Sequence, residues 1–392
     1  MKCSIKFFVV ALCTAFFLQG FAQKPEPVVS IVRQIHDFDW YEQQAKAWKH
    51  EIDNGSTNAM AWIYWSEANR MAKVFCDSVK WESRRSDYFV PSTQLLEAAE
   101  KAIPNTFEYN FLKMQSLRKN SVLSDEYLLK AQAQRPYDDL LLPWLMNRSL
   151  TANDKEAMTQ IAGKWFNQNE IPQELLITSY NMLMSLDTNA ILMTTGDNDS
   201  YPTWVLQYAR KIRPDVLVLN LWMAASTDGY REKIFAEMGV KPINFASDSN
   251  LTSNSNLKKS RGIFQHLIKN VTGRPVYLSL FAPEEVYKEY SKSMYMVGFA
   301  LKYSPKPFDN LSVLRNNVEN KYLMDFLKQS FFNNPSESVA KMIRSSYISI
   351  FKMLYDSYIK NGEKTKAKKI KDLAFKIAQE SGIMEVMQYV WK

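Results

Sequence analysis

Residues 190–204 read Ala-Ile-Leu-Met-Thr-Thr-Gly-Asp-Asn-Asp-Ser-Tyr-Pro-Thr-Trp, and this stretch decides the fold class. Its first five residues are a short apolar run bounded by polar residues, which predicts a buried β-strand over 190–194. The polar residues that follow lead into a helix predicted over about 200–212. A strand that runs directly into a helix is typical of an α/β domain.

Two further apolar runs, at 215–220 and 275–280, predict a second and a third strand. Helical patterns lie between the strands, and a Ser/Asn-rich surface loop is predicted over 247–260. Apolar strands that alternate with helices favour parallel pairing with right-handed crossovers. The sequence therefore predicts a small three-layer domain with a parallel sheet over 187–310.

Helical patterns occupy both flanks of this domain, over 23–186 and 311–392. In the first flank, Pro104, Pro136 and Pro172 each follow an amphipathic segment and precede another. Proline ends a helix and is tolerated in the first turn of the next one. The prolines are spaced close to the roughly 34 residues of a tetratricopeptide repeat. The predicted fold class is thus α/β plus α, with irregular tetratricopeptide-like helical pairs around the sheet.

The N-terminal residues 1–22 have the pattern of a signal peptide. Lys2 and Lys6 precede an apolar run over 7–18, and small residues around Ala22 form a cleavage site. The run is shorter than the roughly 20 residues that a membrane-spanning helix needs. We therefore expect an exported protein, in the periplasm or at the cell surface, that is peripheral to a membrane at most.

Charge and cysteine content restrict the function classes. The formal net charge is +8, and much of the excess lies in one lysine-rich helix over 364–376. A solvated helix face explains such a cluster, so no nucleic-acid partner is expected. Removal of the signal peptide leaves Cys76 alone, so no intramolecular disulfide is expected. Cys76 follows Val74 and Phe75 and is predicted to be a core residue, not a nucleophile.

The segment after the first predicted strand is the main candidate for a ligand site. In open α/β sheets, ligands bind outside the carboxyl ends of the strands. Asp197, Asn198 and Asp199 offer oxygen acceptors, which suit a divalent cation or sugar hydroxyls. Tyr201 and Trp204 would supply an apolar platform for a sugar ring. Asp197 and Asp199 are the predicted metal ligands, since the triplet also fits the Asp-x-Asp signature of nucleotide-sugar glycosyltransferases.

An architectural explanation of the same residues stays open. Asp199 or Ser200 is a good helix N-cap, Pro202 suits a first turn, and Gly196 suits a sharp strand exit. Capping explains one or two of these residues but not the whole run.

Other polar residues are weaker candidates. Asn220 ends the second predicted strand, and Asp228 and Tyr230 follow it, so all three are expected near the same crevice. The histidines lack the spacing of zinc ligands; they are His36, His50 and His266.

Four motifs carry a family resemblance. They are residues 196–204, 213–220, 274–277 and 298–305, and they recur in this order in a bacterial membrane family described as protein O-mannosyltransferase-like. Over about 187–305, the chain resembles the water-soluble C-terminal portion of that family, an α/β domain flanked by tetratricopeptide-like helices.

The chain departs from the family in ways that bear on activity. It lacks the many-helix membrane domain that is expected to hold the catalytic acid. It reads Asn-Leu-Trp-Met at 220–223 and Asp-Gly-Tyr at 228–230, where the family more often has a Ser/Leu run and Asp-Trp-Tyr. The resemblance implies the fold and a shared surface site, but it does not imply glycosyl transfer.

Two functions follow as hypotheses. The first is a non-catalytic scaffolding protein of the bacterial envelope, whose helical repeats bind a protein partner and whose α/β domain binds a glycan or a divalent cation. The alternative is a metal-assisted enzyme that acts on sugars or nucleotide-sugars. Such an enzyme would also need a general base, and the sequence identifies none.

Overall fold

The computed structural model describes residues 25–76, 92–117, 121–243, 245, 255–328 and 336–391. The signal peptide predicted over 1–22 and residues 247–254 of the predicted loop lie outside these ranges. The described residues belong to two compact units, which divide the chain into Met1–Ser30 with His36–Pro136, and Ile31–Ile35 with Tyr137–Lys392. The predicted domain boundaries at 186 and 310 stay predictions, as does the signal peptide.

The described part of the first unit is helical. Its helices are α1 Phe38–Asp53, α2 Met60–Phe75, α3 Ser92–Ala102, α4 Phe107–Ser116 and α5 Ser121–Gln134. Side-chain caps set two of the starts, because Asp37 accepts a hydrogen bond from Trp40 N (2.9 Å) and Thr106 accepts one from Tyr109 N (3.2 Å). Helices α1 and α2 pack against each other, as do α4 and α5.

The second unit surrounds the sheet with helices. Before and within the sheet region these are α6 Leu142–Ala152, α7 Lys155–Gln168, α8 Gln173–Met184, α9 Asp197–Arg210, α10 Leu221–Ser226, α11 Asp228–Glu237, α12 Asn256–Asn270 and the single turn α13 Glu284–Tyr287. After the sheet they are α14 Asn310–Asn320, α15 Glu337–Ser345, α16 Tyr347–Lys360, α17 Lys364–Glu380 and α18 Met384–Val390. Two 3₁₀ segments complete the unit, at Lys288–Ser293 and Asp325–Lys328.

The sheet has five strands in the order β2-β1-β3-β5-β4. The strands are β1 Ile191–Thr194, β2 Leu217–Asn220, β3 Val276–Ser279, β4 Met294–Met296 and β5 Ala300–Tyr303. β1 pairs in parallel with both β2 and β3, whereas β5 pairs antiparallel with β3 and with β4. The three strands predicted from apolar runs are therefore confirmed, and so is their parallel pairing.

The sheet as a whole is mixed, which corrects the prediction of a parallel sheet. The extra strands form a hairpin whose apolar runs are short and interrupted by polar residues, so they gave no strand pattern in the sequence. The fold agrees with the α/β plus α class, since helices dominate and the sheet is small. The three-layer and tetratricopeptide-like details stay predictions.

The three prolines lie at helix boundaries, as predicted. α3 ends two residues before Pro104, α5 ends two residues before Pro136, and Pro172 is the N-cap of α8. Within the ranges that the structure covers, no helix is both long enough and apolar enough to cross a membrane.

Arg213 fixes the amino end of β2. Its guanidinium donates to the carbonyl oxygens of Leu183, Leu186 and Asp187 at 2.7–2.9 Å, and to the carboxylate of Asp215 at 2.9 Å. Leu183 lies in the last turn of α8, and Leu186 and Asp187 follow the helix, where carbonyl groups have no acceptor role left within the helix. One side chain thus joins a helix C-terminus to the start of the sheet.

β2 is an edge strand, and side chains cover its outer carbonyl groups. Gln207 donates to Val216 O at 2.8 Å, and the indole of Trp204 lies 3.5 Å from Val218 O. Asn220 N donates to the hydroxyl of Tyr230 at 3.2 Å.

Candidate functional site

The carboxyl ends of the three parallel strands bring three polar residues to one edge of the sheet. Thr194 ends β1, Asn220 ends β2 and Ser279 ends β3, and β1 lies between the other two strands. All three side chains are buried. A buried polar group is costly unless it is hydrogen-bonded, so these residues are expected to be linked to one another.

Asp199 forms the centre of this polar cluster. One carboxylate oxygen accepts from Gly196 N at 2.8 Å, and the other accepts from Thr195 N at 3.1 Å. The hydroxyl of Ser279 also lies near this carboxylate and stabilises its charged form. The side chain is buried, with 2% of the residue exposed. Asp199 therefore closes the turn between β1 and α9 and ties that turn to β3.

The position of Asp199 differs from the capping role that the sequence suggests. α9 begins at Asp197, with Gly196 as its N-cap, so the helix starts about three residues earlier than predicted. Asp199 is the third helical residue and reaches back to the N-cap, which is the acidic arm of a capping box. Pro202 consequently lies in the second turn of the helix and not in the first.

The environment of Asp199 disfavours its ionised form. Burial raises the pKa of this carboxyl, and the hydrogen bonds from Gly196, Thr195 and Ser279 oppose that rise. All of these donors are neutral, and no salt bridge to Asp199 is present among the described residues. The carboxyl group is therefore an architectural element whose charge is uncompensated by a cation.

Asn220 connects β2 to the same turn. Its amide donates to Ser200 Oγ at 2.8 Å and lies 3.5 Å from Gly196 O, while its side-chain oxygen accepts from Met223 N at 2.8 Å and caps α10. Thr194 Oγ1 lies 2.7 Å from Ser200 Oγ. Asn220 is thus an internal brace, with 7% of the residue exposed.

Asp197 and Asn198 lie on the outer side of this cluster. Asp197 is exposed and Asn198 is half-buried, in the first turn of α9. The side-chain oxygen of Asn198 is itself buried and has no hydrogen-bond partner within the described part of the chain. A hydrogen-bond donor from a ligand would satisfy this acceptor, since an unsatisfied buried acceptor costs about 1–3 kcal/mol.

Two partly exposed aromatic residues follow the strands on either side of β1 at the carboxyl edge. Trp222 follows β2 by two residues, Phe281 follows β3 by two residues, and they are 43% and 36% exposed. β2 and β3 lie on either side of β1, so the segments that carry the rings are about two strand spacings, or roughly 10 Å, apart. We name Asp197, Asn198, Trp222 and Phe281 the carboxyl-edge site.

Trp222, Phe281 and Ser279 were not predicted from the sequence as site residues. A signal for them was present, because each of the last two predicted strands is followed within two residues by an aromatic residue. Their position on either side of β1 becomes apparent only from the strand order.

Tyr201 and Trp204 are core residues in this structure. They are 8% and 2% exposed, their rings pack 5.8 Å apart, and Tyr201 also packs against Trp165 at 5.2 Å. Asn147 donates to the Tyr201 hydroxyl at 2.9 Å. Both rings are therefore unavailable as a platform for a sugar, and the ligand role predicted for them has no support from their burial.

Asp228 is exposed at the first turn of α11 and forms an ion pair with Arg231 at 2.5 Å. Tyr230 is buried beneath β2, and burial raises the pKa of its hydroxyl well above the ordinary value. His266 Nε2 lies 2.9 Å from Lys241 O, and its ring stacks on Phe235. None of these contacts brings a second carboxylate or an imidazole to Asp197.

The two predicted metal ligands lie in different surroundings. Both oxygens of Asp199 accept hydrogen bonds from backbone N–H groups, whereas Asp197 faces solvent. The described ranges contain no group of three or more His, Cys, Asp or Glu residues that could hold a metal ion. The donor set therefore fits a hydroxyl-bearing ligand better than a divalent cation.

Comparison with known proteins gives one match. Residues 177–238 match the model of a family described as TMEM260-associated domain 2. The matched segment runs from α8 through β1, α9 and β2 to the end of α11, and it includes three of the four residues of the carboxyl-edge site. It fits the resemblance to an O-mannosyltransferase-related family. No curated protein and no solved structure matches the chain.

Proposed function

We propose that this chain is an exported, non-catalytic glycan-binding protein of the bacterial envelope. A single observation carries the glycan assignment. Two partly exposed aromatic residues, Trp222 and Phe281, follow β2 and β3 at the same end of the sheet as the exposed carboxylate of Asp197 and the buried side-chain oxygen of Asn198, which has no partner among the described residues. Sugar rings stack on aromatic faces, and their hydroxyl groups donate to carboxylate and amide oxygens.

The proposal includes the relation to the membrane family. The chain would correspond to the soluble C-terminal portion of bacterial O-mannosyltransferase-like proteins, with a three-layer α/β domain and tetratricopeptide-like helices. The match over 177–238 supports this relation at the level of one domain. The charged n-region and apolar run at the N-terminus support export.

A protein partner would bind the helices of the first unit. α5 carries Val122 and Leu129, which are seven residues apart and therefore lie on the same helix face. They are 77% and 44% exposed. Exposed apolar residues on one face of a helix are typical of a protein-binding surface.

The alternative, a metal-assisted enzyme acting on sugars or nucleotide-sugars, has less support. Asp199 is enclosed by backbone donors, and no second carboxylate accompanies Asp197 among the contacts described. We therefore place the weight of the proposal on binding without turnover.

The test is a glycan-binding measurement on the purified protein. An oligosaccharide array that includes mannose-terminated glycans identifies a probe, and titration calorimetry gives its Kd. Trp222→Ala and Phe281→Ala should each weaken binding roughly tenfold, or about 1.4 kcal/mol. Tyr389→Ala is the matched control, because it removes an aromatic ring that lies outside the site and belongs to a residue that is 79% exposed.

Three outcomes would contradict the proposal. One is the absence of binding to any glycan of the array, and another is an equal loss of affinity in the Tyr389 control. The third is a loss of binding on addition of a chelator, which would favour the metal-dependent alternative.

A further inference from the structure

A cavity lies against the edge strand β2 and extends toward the amino ends of the strands, away from the carboxyl-edge site. Its volume is about 250 Å³. The segment between α6 and α7, the helices α9 and α11, β2, and the residue that precedes β3 by two positions form its walls. All of these elements belong to the second unit.

Cationic side chains outnumber carboxylates around this cavity. Four cations line it, namely Lys155, Lys211, Lys233 and Arg274, together with two carboxylates, Asp215 and Glu237. Asp215 accepts two hydrogen bonds of 2.9 Å from the guanidinium of Arg213, so the negative charge of Asp215 is already compensated. Glu237 is then the carboxylate left to balance four cations.

The three lysines make no ion pair within the described part of the chain. Lys155 is the first residue of α7, where the positive end of the helix dipole makes a further positive charge unfavourable. Asp154, the N-cap of that helix, and Glu156 offset this cost, but neither of them lines the cavity. Helix stability therefore does not explain the position of Lys155.

Arg274 is the most constrained of the four cations. Its guanidinium donates to the carbonyl oxygens of Asn189 at 2.9 Å and Ala190 at 3.2 Å, which hold it at the amino end of β1. Burial lowers the pKa of Arg274, and the carboxylates of Glu237 and Asp215 only partly oppose this effect. A partly desolvated guanidinium held by neutral acceptors is a favourable partner for an anion.

The remaining walls of the cavity would accommodate the uncharged part of a small organic ligand. Met158, Trp204, Tyr208 and Ile234 supply apolar and aromatic surface. The volume lies below the roughly 300–1,000 Å³ of pockets for drug-sized ligands, so the occupant is about the size of one ring and one charged group. A cluster of four cations matches a dianion better than a single carboxylate.

We propose that this cavity binds a small phosphate monoester of sugar-phosphate size, with Lys155, Lys211, Lys233 and Arg274 around the phosphate. The proposal is independent of the glycan site, because the two sites lie at different edges of the sheet and share no residue.

The experiment measures binding of hexose 6-phosphate to the purified protein by titration calorimetry, at low and at physiological ionic strength. Inorganic phosphate, the parent hexose and a hexuronic acid are the comparison ligands. We expect hexose 6-phosphate to bind most tightly, with an affinity that falls as salt rises. Lys211→Gln with Lys233→Gln should weaken binding at least tenfold, whereas Glu237→Gln should tighten it several-fold because it removes an opposing charge.

Lys360→Gln with Lys364→Gln is the matched control. It lowers the net charge by the same amount at exposed lysines that do not line the cavity, and it should leave the affinity unchanged within about twofold. A fold check by circular dichroism accompanies each variant.

Several results would overturn the assignment. They are the absence of hexose 6-phosphate binding, equal weakening in the control variant, or weaker binding after Glu237→Gln. Equal affinity for inorganic phosphate or for the hexuronic acid would also overturn it, because the apolar walls and the second charge would then contribute nothing.

Discussion

Two aspartates at opposite ends of the same short strands show opposite electrostatic behaviour. At the carboxyl end, Asp199 is buried among neutral donors, and burial raises the pKa of its carboxyl group. At the amino end, Asp215 faces the guanidinium of Arg213, whose hydrogen bonds lower the pKa of that carboxyl group to about 2. Both residues fix the end of a strand, but one does so through desolvated hydrogen bonds and the other through charge.

Each end of the sheet is therefore held by a different kind of interaction. The carboxyl end depends on close approach and on neutral hydrogen bonds, so it should be sensitive to volume and little affected by salt. The amino end depends on an ion pair and on capped carbonyl groups, so it should be sensitive to charge and to acid.

The largest expected effect tests close packing near the carboxyl end. Gly298 precedes β5, whose first residue pairs with Ser279, and its φ is +132°. A Cβ atom there would overlap the hydroxyl of Tyr322 and lie 2.8 Å from Ser185 Oγ. Gly298→Ala should therefore lower the free energy of unfolding by about 3 kcal/mol, measured by urea denaturation.

Gly163 supplies the matched control for this substitution. It lies inside α7, and a Cβ atom added there would meet nothing within 4 Å. Gly163→Ala should raise the free energy of unfolding by about 0.5–1 kcal/mol. Equal effects of the two substitutions would show that the carboxyl end tolerates added volume.

A smaller loss is expected from the amino end. Arg213→Gln removes the ion pair with Asp215 and the hydrogen bonds from the guanidinium to the carbonyl groups of Leu183, Leu186 and Asp187 at the end of α8. We expect a loss of about 2 kcal/mol in the free energy of unfolding. Arg210→Gln, an exposed arginine at the end of α9, is the control and should change stability by less than about 0.5 kcal/mol.

The smallest expected effect is on the pH dependence of the free energy of unfolding, to which the two aspartates contribute with opposite sign. Asp215 has a lowered pKa in the folded state, so its stabilisation is present above pH ~4 and is lost as the pH falls toward about 2. Because the pair is partly exposed, this contribution is about 1 kcal/mol. Asp199 has a raised pKa, so its contribution has the opposite sign and is lost as the pH rises through the folded-state value.

The measurement is the free energy of unfolding as a function of pH for Asp215→Asn, Asp199→Asn and the unmodified protein. Subtracting each variant curve from that of the unmodified protein removes the contribution of the other acidic groups. The difference curve should fall with acid for Asp215 and rise with acid for Asp199. Difference curves that change in the same direction with pH would contradict the opposite pKa shifts of the two carboxyl groups.

The sequence predicted those strands that an uninterrupted apolar run marks. The apolar runs at 190–194, 215–220 and 275–280 predicted β1, β2 and β3, because buried parallel strands are apolar on both faces. β4 and β5 escaped because half-exposed residues such as Met294 and Lys302 interrupt their apolar pattern. The start of α9 was misplaced because Gly196, which has no side chain, is its N-cap.

The position of the candidate site in the fold was predictable from the sequence, but most of the residues that form it were not. Asp197 and Asn198 lie at the carboxyl edge, as the position after a buried strand indicates. Tyr201 and Trp204 are buried instead, because they face the core side of a helix that begins earlier than predicted. Trp222 and Phe281 are brought to this edge by the strand order, which periodicity along the chain does not encode.

The side chains that cover the outer carbonyl groups of β2 have a consequence for self-association. An uncovered edge strand offers a template on which a second copy can add its own strand and begin aggregation. Gln207 occupies Val216 O, and Trp204 lies beside Val218 O. At the opposite edge, β4 is three residues long. Both edges of the sheet therefore offer few free backbone groups with which a strand of a second copy could pair.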